Sequence, residues 1–172
     1  MVIQKPSSSE LSDYYRTYLK YVLEEDLLSV IIKQKLQIEN FFSNITPSKE
    51  NFKYAEGKWM LKEVAGHICD TERILSYRAL RIARNDKLPM NGFDENEYTF
   101  QANYKSRTLK NILEELLSVR QSSILLFQNM NEEFFDRKGI ANDSEVTVRA
   151  LLFFIVAHAY HHMGVIEEKY LR

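Results

Sequence analysis

The chain has 172 residues, 45% hydrophobic and 27% charged, which suits one domain able to bury a substantial core. Its formal net charge of −1 leaves no field to draw nucleic acid or anionic lipid, and its single cysteine, Cys69, excludes an internal disulfide. Five glycines and three prolines are few breakers for this length and favour long helices over many short strands.

In chain order, residues 1–9 read as a loose lead-in, with Ser9 as a candidate cap for a short helical piece, ELSDYY. A first long helix is predicted over 25–45, where Leu27, Leu28, Ile31, Ile32, Leu36, Ile38, Phe41 and Phe42 recur mostly at helical spacing. A loop with Pro47 and Gly57 follows, then a second helix over 60–85, ended by DKLPMNGFDENEYTF with Pro89 and Gly92. A third helix is predicted over 107–130. NEEFFDRKGIANDSEV then reads as a connector with room for one helical turn, and a fourth helix runs from Thr147, a plausible N-cap, to the end. The expectation is an all-α four-helix bundle over 25–172, with residues 1–24 as an N-terminal extension packing on it. The N-terminus lacks the apolar run of a signal peptide, and LLFFIVA at 151–157 is too short for a membrane span. A soluble, cytoplasmic protein acting on a small molecule, without nucleic acid or membrane as partner, is expected.

The four histidines fall in two short apolar segments. In the last helix Leu151, Ile155, His158, His162, Val165 and Lys169 alternate steps of four and three, the seam of a core-facing helix. His158 and His162 stack one turn apart on that seam, with about 5–6 Å between Cβ atoms. His161 is rotated by about 100° to its flank. In the second helix Met60, Val64, Ile68, Thr71, Leu75, Arg78 and Ile82 outline the inner face, and His67 lies near its centre line. Three inward imidazoles cannot all be protonated, because burial and mutual repulsion depress their pKa values. A divalent ion such as Zn²⁺ would take a lone pair from each neutral ring. A single inward histidine is ordinarily a hydrogen-bonded core residue. Confining all four to two converging faces points instead to a metal held by His67, His158 and His162.

Cys69 lies about 200° around the helix from His67 and reads as a small buried thiol. Glu63 and Asp70 flank His67 and could orient an imidazole or act as a base, although such residues are more often solvated helix charges. Arg84 suits the negative end of its helix. Arg78 points inward and needs a carboxylate, with Asp94 and Glu97 as candidates, or else serves to bind an anionic substrate. The tyrosines and phenylalanines, ten of each, are scattered and read as core. No glycine-rich phosphate loop or serine-nucleophile elbow is present.

The segments EGKWMLKEVAGHICDTERILSYRALRIARND, GFDENEY and AHAYHHMGVIEEKYL resemble the DinB/YfiT-like superfamily, closest to its DinB_2 branch, over about residues 54–171. The resemblance implies a bundle of up-down-down-up course, often a homodimer, with a metal ion, Zn or Ni, held by three histidines. These map onto His67, His158 and His162, with His161 at a position where histidine is common without being a ligand. One departure is visible. The family usually has Ser or Thr after the tryptophan to form a capping box, whereas this chain has Met60 before Glu63, which weakens that helix start. Some members of the superfamily are S-transferases or isomerases using a low-molecular-weight thiol, and others are described as metal-dependent hydrolases. Three histidines leave an open coordination position, as in catalytic rather than structural zinc sites. Hydrolysis by an activated water and attack by a cofactor thiolate both fit that expectation, as does a non-catalytic bundle binding metal or ligand.

Overall fold

The computed structural model describes residues 1–172. Its elements are α1 (Asp13–Arg16), α2 (Leu27–Ser43), α3 (Leu61–Ala83), α4 (Glu95–Gln101), α5 (Leu109–Gln128), β1 (Lys138–Ala141), β2 (Ser144–Thr147) and α6 (Val148–Lys169), joined by short 3₁₀ turns. Most helices begin where the sequence supplies an oxygen for an orphaned amide. Asp26 accepts from Leu28 N, Thr108 from Asn111 N and Thr147 from Ala150 N. α3 begins at Met60, which has no oxygen to offer. The loop before it fills the gap, with Phe52 O accepting from Leu61 N at 3.1 Å and Glu50 O from Lys62 N at 3.0 Å. Glu63 keeps its half of the capping box by accepting from Met60 N at 2.7 Å.

Cross-helix pairs give the directions. Gln34 and Gln37 of α2 meet Val156 and Tyr160 of α6, so these two helices run parallel. Lys62 bonds the carbonyls of Lys105 and Arg107, while Glu72 meets Arg120, so α3 and α5 also run parallel. Tyr170 bonds Trp59 O and Arg137 bonds Ala83 O, which sets α6 antiparallel to α3. The course is up-down-down-up. α3 packs on α5 and α6, as does α2, which leaves α2 diagonal to α3 and α5 diagonal to α6. Long connectors are needed to cross those diagonals.

Two apolar clusters fill the bundle. One contains Leu27, Val30, Ile31, Ile82, Phe127 and much of the first half of α6, and the other Ile38, Phe42, Leu61, Ile68, Leu116 and Ile166. Between them lies a polar layer, with Gln34, Glu72 and Arg120 almost fully enclosed. Arg120 Nε donates to Glu72 Oε2 at 3.0 Å, Arg120 Nη1 donates to Gln34 Oε1, and Gln34 Nε2 donates to Val156 O at 2.8 Å. One residue from each of the four long helices takes part.

Four expectations need correction. The lead-in is not loose: Ile3 N donates to Asp26 Oδ1, Leu27 N to Ile3 O and Lys5 N to Glu25 O, and Ile3 and Leu11 enter the core. The cap of the short helix is Ser12 rather than Ser9. The 131–146 connector does hold a helical turn at Glu132–Asp136, but a hairpin follows, with Asn142 and Asp143 at φ of 50° and 58°. Positive φ at both loop residues is the geometry whose twist suits a two-residue hairpin, and Asn and Asp tolerate it. Lastly, Val148–Lys169 is long and apolar enough to cross a membrane by composition, contrary to the sequence reading. Its apolar window is 61% buried, as befits a helix packed against neighbours on several sides.

Candidate metal centre and its pocket

His67 reaches inward from α3, and His158 and His162 from the antiparallel α6. His158 Nε2 lies 3.0 Å from His67 Nε2 and 3.1 Å from His162 Nε2. One ligand atom from each of the three residues falls within 4.8 Å of the others. A neutral imidazole nitrogen either donates or accepts, so His158 Nε2 can satisfy one such contact and not both. A cation among three lone pairs resolves the conflict. Tetrahedral Zn–N bonds of about 2.0–2.1 Å would set the nitrogens roughly 3.3 Å apart, close to the 3.0 and 3.1 Å of the two pairs that share His158, the third pair lying within 4.8 Å. The donor set therefore fits a divalent ion.

The surroundings keep these rings neutral. Burial, with a lesser contribution from His161, pushes His67 down to about 4. Burial first, then the neighbouring histidines, holds His158 and His162 well below the ordinary imidazole value. A histidine depressed in the folded state takes up its proton more readily when unfolded. Stability is then present above the unfolded value of about 6.5 and is lost as pH falls toward the folded value. The metal-free protein is expected to lose about 1.4 kcal/mol per pH unit for His67 alone between about pH 6.5 and 4. Urea unfolding across that range checks this, and a flat stability would contradict it.

The histidines form the floor of a cavity of about 420 Å³, lined also by Trp59, Thr71, Leu75, Arg78 and Phe154. The Trp59 ring lies 4.8 Å from that of His67. Tyr15 stacks on Phe154 at 4.1 Å and Tyr18 meets Phe154 edge-on, so the N-terminal extension forms one wall. His161, set to the flank as its phase implies, takes part in a 2.8 Å hydrogen bond with Tyr21 through Nδ1. Gly92 borders the cavity where the hairpin turn comes closest, and a Cβ there would sit 2.2 Å from Asn142 Oδ1.

The flanking candidates are placed otherwise than expected. Glu63 is engaged with Met60 N, and Asp70 accepts from Tyr104 Oη at 2.6 Å, so neither carboxylate bonds an imidazole. Cys69 is buried beside Arg73, and burial pushes its thiol up to about 12. Arg78 is buried as its phase implies, but neither Asp94 nor Glu97 pairs with it. Asp94 instead caps α4, and Glu97 bonds Gln101. The guanidinium donates to Asn91 O at 2.6 Å, and Arg78 is among the residues that line the cavity. Sequence reasoning missed Trp59, Tyr15, Tyr18 and Phe154 as pocket walls. Aromatic residues carry no pattern that separates a pocket wall from a core.

An up-down-down-up bundle with three imidazoles converging under a pocket defines a helical class with a candidate metal centre. The DinB_2 family model, described as the DinB superfamily, matches residues 37–166, and the chain belongs to that superfamily. Among curated proteins none has a sequence similar enough to match. Among solved structures, YfiT from Bacillus subtilis, described as a probable metal-dependent hydrolase with an unusual four-helix bundle topology, aligns with a TM-score of 0.72 at 19% identity. The alignment covers 95% of this chain and 90% of that one. A mycothiol-dependent maleylpyruvate isomerase aligns with a TM-score of 0.68 at 11% identity, over 80% of this chain and 58% of the isomerase. This chain thus spans well under two thirds of the isomerase. At these identities the likeness is one of fold.

Proposed function

We propose that the chain is a divalent-metal-dependent enzyme, a hydrolase, with Zn or Ni held by Nε2 of His67, His158 and His162. The observation that carries this reading is the 3.0 and 3.1 Å convergence of three imidazoles, those of His67 and His158 buried and that of His162 half-buried, at the floor of a cavity large enough for a small molecule. When bound, such an ion supplies a Lewis acid with an open position, able to polarise an electrophile or acidify a nucleophile. The chain's own residues prepare the site. Burial keeps the rings in the lone-pair-donating form at neutral pH, and Trp59, Phe154 and Tyr15 hold bulk water away, which strengthens charge interactions inside. YfiT's description as a probable metal-dependent hydrolase supports the same reading.

A second reading, transfer or isomerisation with a low-molecular-weight thiol, is favoured by one feature. The two carboxylates nearest His67 in sequence are engaged elsewhere, which suits a nucleophile that needs no protein base. The likeness to a mycothiol-dependent isomerase agrees with it. Elemental analysis of protein purified without an affinity tag should find close to one ion per chain. His162→Ala should lower that at least tenfold while far-UV circular dichroism stays the same. Metal-loaded protein should then turn over either ester and amide substrates or electrophiles supplied with a thiol. Full metal occupancy in His162→Ala, or none in the wild type, would overturn the assignment.

A further inference from the structure

Two ends of the cavity have different chemistry. One is the histidine floor. At the other, Arg78 is 5% exposed, with a hydrogen bond to the Asn91 carbonyl but no carboxylate beside it. A guanidinium taken out of water without a counter-charge is costly, and a fold retains one where something else supplies the charge. The position is built rather than accidental. β1 and β2 pin the preceding loop, with Met90 N donating to Ile140 O and Asn142 N to Met90 O, and this holds Asn91 against the guanidinium.

Between the two ends, Thr71, Leu75, Tyr15 and Phe154 line the cavity. Thr71 is 4% exposed and its hydroxyl has no hydrogen-bond partner, so a second polar group in this wall also lacks a mate. His67 and Arg78 are separated by about 16 Å along the α3 axis at their Cα atoms, from a rise of about 1.5 Å per residue.

We infer that the pocket takes an elongated ligand bearing a carboxylate, which Arg78 binds while the opposite end of the ligand lies at the histidines. The position of that opposite end rests on the metal-site reading above; the carboxylate site does not. Arg78 is the one Lys or Arg side chain lining the cavity, and Glu95 lies at its rim. A single buried guanidinium matches the single charge of a carboxylate and its planar, two-oxygen shape, whereas a phosphate dianion would remain under-compensated. The apolar stretch past Leu75 and Phe154 suits an aliphatic or aromatic middle, and Thr71 offers it one hydrogen bond.

Calorimetric titration separates the two ends. Octanoate and octanol titrated into metal-free protein read Arg78 alone. The acid should bind about ten- to a hundredfold more tightly than the alcohol, as expected for a hydrogen-bonded charge pair. Arg78→Leu should erase that preference, and Arg78→Lys, which keeps the charge without the fork, should retain part of it and guards against a leucine variant that fails to fold. On zinc-loaded protein, 8-mercaptooctanoate should bind more tightly still. If the thiol adds nothing while octanoate keeps its dependence on Arg78, the metal reading fails and the carboxylate site stands. Equal binding of octanoate and octanol, an Arg78→Lys protein that binds octanoate as well as the wild type, or octylphosphonate binding at least tenfold more tightly than octanoate would overturn the inference.

Discussion

Removing the proposed divalent ion from the wild-type protein is expected to lower its melting temperature by about 8–16 °C. An ion present at a thousand times its dissociation constant stabilises the folded state by about 4 kcal/mol. A chain of this size shifts by about 2–4 °C for each kcal/mol. The linkage should be strong here because the three proposed ligands sit on two antiparallel helices, so an ion held by them would join α3 to α6 at the level of the pocket. His158→Ala removes the central nitrogen, the one within 3.1 Å of both others. That variant should melt within a few degrees of metal-free wild type and show no response to added zinc. Differential scanning calorimetry with and without chelator decides the matter. Identical scans for loaded and stripped wild type would show that the ion, if held at all, is not held by the folded state.

The second large effect lies away from the pocket. Glu72→Ala leaves the Arg120 guanidinium enclosed and without its carboxylate, and breaking a buried pair in this way costs about 3–5 kcal/mol. Replacing both partners with apolar residues, Glu72→Leu with Arg120→Met, should recover most of the loss, because no buried charge is then left alone. Gln34 would still donate to Val156 O, although its Oε1 would lose Arg120. Urea denaturation of the three proteins gives the comparison directly. A Glu72→Ala protein as stable as wild type would mean that water reaches Arg120 and that this layer is less closed than its burial indicates.

This layer was legible and went unread. Gln34 falls on the α2 stripe of Leu27, Ile31, Ile38 and Phe42, and Arg120 falls between Leu116 and Ile124 on α5. Inward phase on a polar residue was the signal that singled out the histidines, and it applied here as well. Arg78 shows where phase stops. Its inward direction was correct, but its neighbours were not, because Asp94 is drawn off to cap the α4 amides and the loop presents the Asn91 carbonyl instead. The hairpin at 138–147 gave little warning. Its strands are four residues each, and an Asn-Asp turn is a weaker sign than Asn-Gly.

Periodicity and caps alone determined four long helices, the inward faces of α3 and α6, and the three histidines on them, since each is set by local spacing on a single rod. The order in which the rods meet is not a local property. Only the tertiary structure decided that α2 lies diagonal to α3, that the N-terminal tyrosines wall the pocket, and that Arg78 lines a cavity rather than meeting a carboxylate. Those outcomes depend on contacts between segments far apart in the chain, whose free energies belong to pairs of surfaces and are written in neither segment by itself.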